Sequence, residues 1–147
     1  MAVSTGRGRF ALAGEPIVAV DLINTVAGPG SPMAEDLLST DRDADAWWQI
    51  EGSRVPDGAR PDTRVLRRLR SALRETIEAL VDSRPVPQGA VSEFLADPAQ
   101  ASRLRRCANP ACLMIFVAVN PRCSWCAPGV CGNRVRVARH YRRAGGT

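Results

Sequence analysis

Every cysteine of this 147-residue chain lies between Cys107 and Cys131, at positions 107, 112, 123, 126 and 131. Cys107 and Cys112 are separated by four residues, Cys126 and Cys131 by another four, and thirteen residues stand between the two pairs. A tetrahedral Zn²⁺ site needs four soft donors, and two short cysteine loops joined by a hairpin-length spacer can wrap one ion. The spacing therefore predicts Zn²⁺ as cofactor, with Cys107, Cys112, Cys126 and Cys131 as ligands and Cys123 as the spare. The competing readings are two disulfides in a secreted domain, or buried free thiols that happen to cluster. The start, MAVSTGRGRF, has no apolar run, which predicts no secretory signal and a reducing, cytoplasmic setting where disulfides are rare.

Around the ligands the segment has a definite shape. Cys107 to Cys112 reads as a tight knuckle, and LMIFVAV, rich in large and β-branched residues, as the first strand of a hairpin turning at Asn120-Pro121. Cys131 then stands at the mouth of a helix, whose exposed N–H groups favour a thiolate. A knuckle, a hairpin and a ligand at a helix start together predict a treble-clef-like finger. On that helix Val135, Val137, Ala138 and Tyr141 share one side, which should pack on the hairpin, while Arg136, Arg139, His140 and Arg143 recur at i, i+3, i+4 and i+7 on another. Such a stripe suits phosphate, and Arg also reaches guanine edges in a major groove. His140 reads as part of the stripe, because four cysteines already satisfy the ion.

Residues 1–100 contain eleven Arg against fifteen acids, whereas residues 101–147 contain nine Arg and no acid, so the body is at −4 and the tail at +9. Four thiolates on Zn²⁺ would subtract two from the tail and still leave a strong field for a polyanion. There is no Lys in the chain, which speaks of a GC-rich coding genome. No apolar run approaches the ~20 residues of a membrane span, so no membrane role is expected.

The body reads as helical. Pro16 opens IVAVDLINTVAG, a buried helix or helical turn ending at Gly28. Ser39-Thr40-Asp41 caps a helix carrying Trp47 and Ile50 on its core side. Asp62 caps the longest stripe, in which Val65, Leu66, Leu69, Leu73, Ile77, Leu80 and Val81 recur at three- and four-residue steps up to Asp82. Its Arg64, Arg67, Arg70 and Arg74 read as a solvated face rather than a second nucleic-acid surface. A shorter helix is expected around Val91 to Ala96, and Asp97-Pro98 should begin another that runs into Leu104.

The cysteine pairs, with Trp125-Cys126 and the tetrad Cys131-Gly132-Asn133-Arg134 ahead of a basic helix, resemble the bacterial CGNR zinc-finger proteins. The polar residues Asp21, Asn24 and Thr25 are similar to the Asp-x-x-Asn-Thr signature of the helical ABATE domain that these proteins carry, and form either a ligand-binding or a structural cluster. About two dozen residues separate Asp82 from Cys107, fewer than in longer members of that family. The resemblance implies a stress-related transcription regulator. The expected fold is mainly α, with a small helical ABATE-like domain over 1–97 followed by a zinc finger over 98–147. The leading function is a DNA-binding regulator whose body senses a ligand or forms a homodimer. The alternative is an RNA-binding or protein-binding adaptor using the same finger, with RNA or an acidic protein as partner. No enzyme is expected: the chain has one histidine, no phosphate loop, and a closed four-cysteine site without a position for water.

Overall fold

The computed structural model describes residues 10, 14–26, 35–55, 60–86 and 102–145. Three helices build the body: α1 (Val18–Ile23), continued by a 3₁₀ turn at Asn24–Val26, α2 (Asp41–Glu51) and α3 (Thr63–Val81). A two-stranded antiparallel hairpin follows, β1 (Leu104–Arg106) and β2 (Ile115–Val117), and the described chain closes on α4 (Asn133–Ala144). The fold is mainly α, a helical body followed by a treble-clef-like finger.

Local chemistry accounts for where the body helices begin. Thr40 accepts from Asp43 N while the Asp43 carboxylate accepts from Thr40 N, a reciprocal capping box that satisfies donors with no partner inside the helix. Asp62 caps α3 through Val65 N at 2.9 Å. Trp47 and Trp48 meet edge to face, 4.9 Å between centroids, and both are buried with Val20, Ile23, Leu66, Leu73 and Ile77. The long α3 stripe is narrower than its sequence suggests. Leu66, Leu73 and Ile77 are buried, whereas Val65 and Leu80 are 46% and 36% exposed.

The expected solvated face of α3 is largely absent. Arg70 is buried and grips Asp36 with both guanidinium nitrogens, at 2.7 and 2.9 Å, while also reaching Thr25 Oγ1. Arg67 donates to the carbonyls of Leu38 and Ser39, and Arg74 to the carbonyl of Ile23. These three arginines tie the end of α1 and the connection from α1 to α2 onto α3; a guanidinium's planar fork of donors suits several carbonyl and carboxylate acceptors at once. Arg64 and Arg68 remain exposed.

The hairpin also differs from expectation. LMIFVAV supplies the second strand rather than the first, and the turn is the cysteine knuckle itself, not Asn120-Pro121. Leu104 pairs with Val117 and Arg106 with Ile115, and Cys107 N donates to Met114 O at 3.0 Å. Leu104 is therefore in a strand rather than a helix. The helix expected around Val91 to Ala96, the Asp97-Pro98 helix start and the division at 97/98 lie outside the described residues. Leu104, Ile115 and Val117 belong to the same core as α1 and α3, and Arg106 pairs with Asp82 at the end of α3.

The outer edge of β2 is closed by side chains of the body. Asn24 Nδ2 donates to Ile115 O at 2.7 Å and Asn24 Oδ1 accepts from Ile115 N at 3.3 Å, so one amide replaces a missing neighbouring strand. Two residues on, Val117 N donates to Glu15 Oε2 at 3.0 Å. An edge strand left open presents unpaired backbone groups, and here they are capped one by one.

Behind this edge lies a buried charge cluster. Arg54 bonds Asp21 at 2.7 Å and also Glu51 and the Glu15 carbonyl, while Gly14 N donates to Asp21 Oδ2 at 2.6 Å. Burial, reinforced by the nearby Glu51 charge, pushes Asp21 up to about 7, although Arg54 and Gly14 N work against it. Burial raises Glu15 as well, against the Val117 N–H and Arg54. A carboxyl whose folded pKa is raised binds more protons folded than unfolded, so its contribution to stability falls as pH rises from the unfolded value through the folded one. Asp21 is therefore expected to contribute more stability near pH 5.5 than near pH 7.5, a tenfold change in proton affinity being worth about 1.4 kcal/mol. Asp36 and Asp82 are shifted the other way, by Arg70 and Arg106 respectively, and titrate below this window. Urea unfolding between pH 5.5 and 8 of the parent and of Asp21→Asn checks this. The variant should give a flatter profile, and an unchanged slope would remove Asp21 as the cause.

Candidate metal centre

Four thiols converge where the knuckle meets the start of α4. The sulfurs of Cys107, Cys112, Cys126 and Cys131 all lie within 4.8 Å of one another, with Cys112 to Cys126 at 3.7 Å and Cys126 to Cys131 at 3.6 Å. A tetrahedron with Zn–S bonds of ~2.3 Å has edges of about 3.8 Å, so the two shortest separations already match a four-thiolate zinc shell. Cys107 and Cys131 are buried, and Cys112 and Cys126 half-buried. No cysteine is disulfide-bonded. The Cys112 sulfur, burial and the charges of Cys112 and Cys107 all push the Cys126 thiol up, and a bound cation would act in the opposite direction.

Backbone hydrogen bonds place Cys107, Cys112 and Cys131. In the first knuckle, Asn109 Oδ1 accepts from Ala111 N at 3.1 Å and Asn109 O from Cys112 N at 2.9 Å, which turns the chain back on itself. Ala108 N then donates to Ser124 O at 2.8 Å, stitching the first knuckle to the second. In the second, Pro128 opens a wide helical turn over Pro128–Gly132 that carries Cys131 and runs directly into α4. Burial raises the Cys131 thiol to about 11, and the side-chain amide of Asn109 opposes that shift. Cys123 stands outside the four-sulfur group and donates to the Trp125 carbonyl at 3.8 Å.

The geometry explains why Trp125 and Gly132 go together. A Cβ added at Gly132 would lie 3.2 Å from Trp125 Cδ1 and 3.3 Å from Nε1, so the indole leans on the backbone beside Cys131 more closely than a side chain there would allow without a shift of a few tenths of an ångström. Gly132→Ala forces the ring or the turn to move. Overpacking of this kind costs about 1–3 kcal/mol, partly offset by up to ~1 kcal/mol of helix propensity. Thermal unfolding should show a lower midpoint in Gly132→Ala and a larger drop in Gly132→Val. A Gly132→Val variant as stable as the parent would mean that the indole does not need this contact.

The basic helix departs from expectation in its packing. No residue of α4 is buried, and Val137 and Tyr141, expected to pack on the hairpin, are 44% and 71% exposed. Helical periodicity puts Val135, Val137, Ala138 and Tyr141 on one side, but the hairpin lies against α1 and α3 instead. Arg136, Arg139, His140 and Arg143 are all exposed, and His140 meets Tyr141 edge to face at 5.9 Å. The helix holds five arginines and no acid, and among the described residues Arg136, Arg139, Arg142 and Arg143 form no ion pair. His140 is not part of the four-sulfur group.

The Asp-x-x-Asn-Thr residues sit far from the sulfurs in sequence, and their polar atoms face inward. Asn24 holds β2, Thr25 Oγ1 donates to Leu22 O at 2.7 Å and receives Arg70, and Asp21 belongs to the Arg54 cluster. Sequence reasoning did not find Glu15, Arg54 or Asn109. For Asn109 a cue was present, an Asn-Pro two residues after a ligand, which favours a turn. Among the described residues no helix is long and apolar enough to cross a membrane.

Comparison with known families gives two matches. The CGNR zinc finger model matches residues 103–144, and the ABATE model, described as "Putative stress-induced transcription regulator", matches residues 18–112. No curated protein and no solved structure matches the chain. The two matches overlap over the knuckle, where the hairpin that carries Cys107 and Cys112 is also packed into the helical core.

Proposed function

This chain belongs to the ABATE family and carries a CGNR zinc finger that holds Zn²⁺, and from that premise we propose that it is a transcription regulator whose α4 binds duplex DNA. In this reading Cys107, Cys112, Cys126 and Cys131 are the four ligands. The ion's role is structural, since a closed thiolate shell has no position for water or substrate, and the protein is a binding module rather than an enzyme. It would lock the knuckle and the Pro128–Gly132 turn together and so set the direction in which α4 leaves the finger.

The observation that carries the proposal is a 12-residue helix with no buried residue, five arginines and no acid. A helix ~10–12 Å across matches the width of the B-DNA major groove, and one with no buried residue offers its arginines for insertion there. Arg136, Arg139 and Arg143, with His140 beside them, are the contact residues. The deep, narrow major groove of A-form RNA would not admit the same helix.

Titration of the zinc-loaded protein with duplex DNA over a range of salt tests this. Three or four phosphate contacts give a log–log slope of about −3 to −4, and each of Arg136→Ala, Arg139→Ala and Arg143→Ala should flatten it by about one. Arg64→Ala and Arg68→Ala, on the exposed side of α3, should leave the slope unchanged. Tighter binding to double-stranded RNA than to DNA, or a slope insensitive to all three α4 substitutions, would transfer the finger to the adaptor reading.

A further inference from the structure

Two buried carboxyl groups meet on one nitrogen of one arginine. Arg54 Nη1 donates to Asp21 Oδ2 at 2.7 Å and to Glu51 Oε2, while Asp21 Oδ1 and Glu51 Oε1 are buried and accept no hydrogen bond. Asp21 is 3% exposed and Glu51 0%. A single guanidinium balances one carboxylate, and a second one held beside it out of water is left with uncompensated charge. Arg54 follows Glu51 by three residues in the same stretch of chain, so that contact is local, whereas Asp21 comes from 33 residues away and is the member free to change. The surrounding elements offer no further cation to the pair. From α3, Arg70 turns to Asp36 and Arg74 to Glu78; Arg60 lies over the Trp48 ring; the remaining charged residues of α2 lie in its first two turns; and β2 carries no titratable residue. Glu15, the other carboxylate here, accepts from Val117 N.

The same cluster holds the segment that closes the outer edge of β2. Gly14, at φ 106°, donates its N–H to Asp21 Oδ2 at 2.6 Å, Arg54 Nη2 donates to Glu15 O, and Glu15 Oε2 receives Val117 N at 3.0 Å. We propose that Asp21 is a proton-operated latch between the body and the finger: with a proton on Asp21 the cluster closes over Gly14 and Glu15, and loss of that proton to solvent favours release of this segment from Val117. Burial and the Glu51 charge, which raise Asp21 to about 7, set the range of the device. The closed form binds the proton more tightly than the open one, so closure is complete at acid pH, weakens as pH rises from the ordinary carboxyl range through about 7, and levels off above it. Because β2 runs on from the knuckle that carries Cys107 and Cys112, a proton taken up in the body is felt by the finger hairpin. The inference does not depend on what α4 binds.

Amide hydrogen exchange of the full zinc-loaded chain between pH 5 and 8, corrected for the intrinsic rate, reads the latch. Val117 N–H should lose protection by up to about tenfold per pH unit until about pH 7 and then level off, while Ile115 N–H, held by Asn24 on the same edge, stays protected. Asp21→Asn keeps an acceptor but cannot ionise, and should hold Val117 protected throughout; Glu51→Gln removes the opposing charge and should make the fall smaller. Comparison of the two amides in the parent needs no variant. Val117 protection that does not change with pH, or that falls together with Ile115, overturns the proposal, and a fall that persists in Asp21→Asn overturns it by placing the proton on Glu15.

Discussion

Cys131→Ser is expected to emerge from purification without zinc and with its finger unfolded, whereas Cys123→Ser should keep one zinc per chain and a native fold. The contrast follows from position: Cys131 is fully buried within 4.8 Å of three other sulfurs, while Cys123 stands outside the group with its thiol on the Trp125 carbonyl. Structural zinc supplies ~10–16 kcal/mol of apparent binding energy to small domains, and a serine hydroxyl cannot ionise to replace the thiolate. The loss should spread further than the finger. Cys107 and Cys112 bound the turn of a hairpin whose Leu104, Ile115 and Val117 are part of the core, so chelation should lower the melting temperature of the body as well. Elemental analysis and circular dichroism of both variants decide it. Zinc that vanishes in Cys123→Ser but survives in Cys107→Ser would reassign the ligands.

The second large effect is expected at Asn24. Replacing it with alanine removes a donor and an acceptor together and leaves both Ile115 N and Ile115 O without a partner at a residue of 0% exposure. Each buried backbone group left unpaired costs about 1–3 kcal/mol, so the sum approaches half of a typical domain's stability of ~5–15 kcal/mol. Urea denaturation should show a much lower midpoint at an unchanged m-value, with zinc still bound, because the four ligands do not touch Asn24. A loss below ~1 kcal/mol would mean that water enters and replaces the amide. The result also bears on the Asp-x-x-Asn-Thr signature, since it would show a fold-holding role for its central residue, which pairs with a strand 91 residues away in sequence.

Local chemistry was legible in the sequence wherever the interacting groups are neighbours along the chain. Two cysteines with four residues between them close a small loop, so the clustering of the four sulfurs was readable from the spacing. The Thr40 and Asp62 caps bond to N–H groups three residues on, within the reach of one turn, and the core position of Trp47 followed from helical spacing. What the sequence could not supply is the partner of a group when that partner is distant. Nothing in Leu104-Arg105-Arg106, one apolar residue and two charges, marks a strand; it becomes one because the knuckle folds it back onto Ile115–Val117. Arginines at surface-like spacing on α3 looked solvated, and only the fold brings Asp36 and the carbonyls of Ile23, Leu38 and Ser39 against them. The apolar side of α4 was correctly placed by its 3.6-residue period, yet a period states which residues share a face and not whether anything covers it. Here the hairpin that might have done so lies against α1 and α3, its outer edge held by Asn24 and Glu15, and so tertiary packing, not periodicity, decided that no residue of the basic helix is buried.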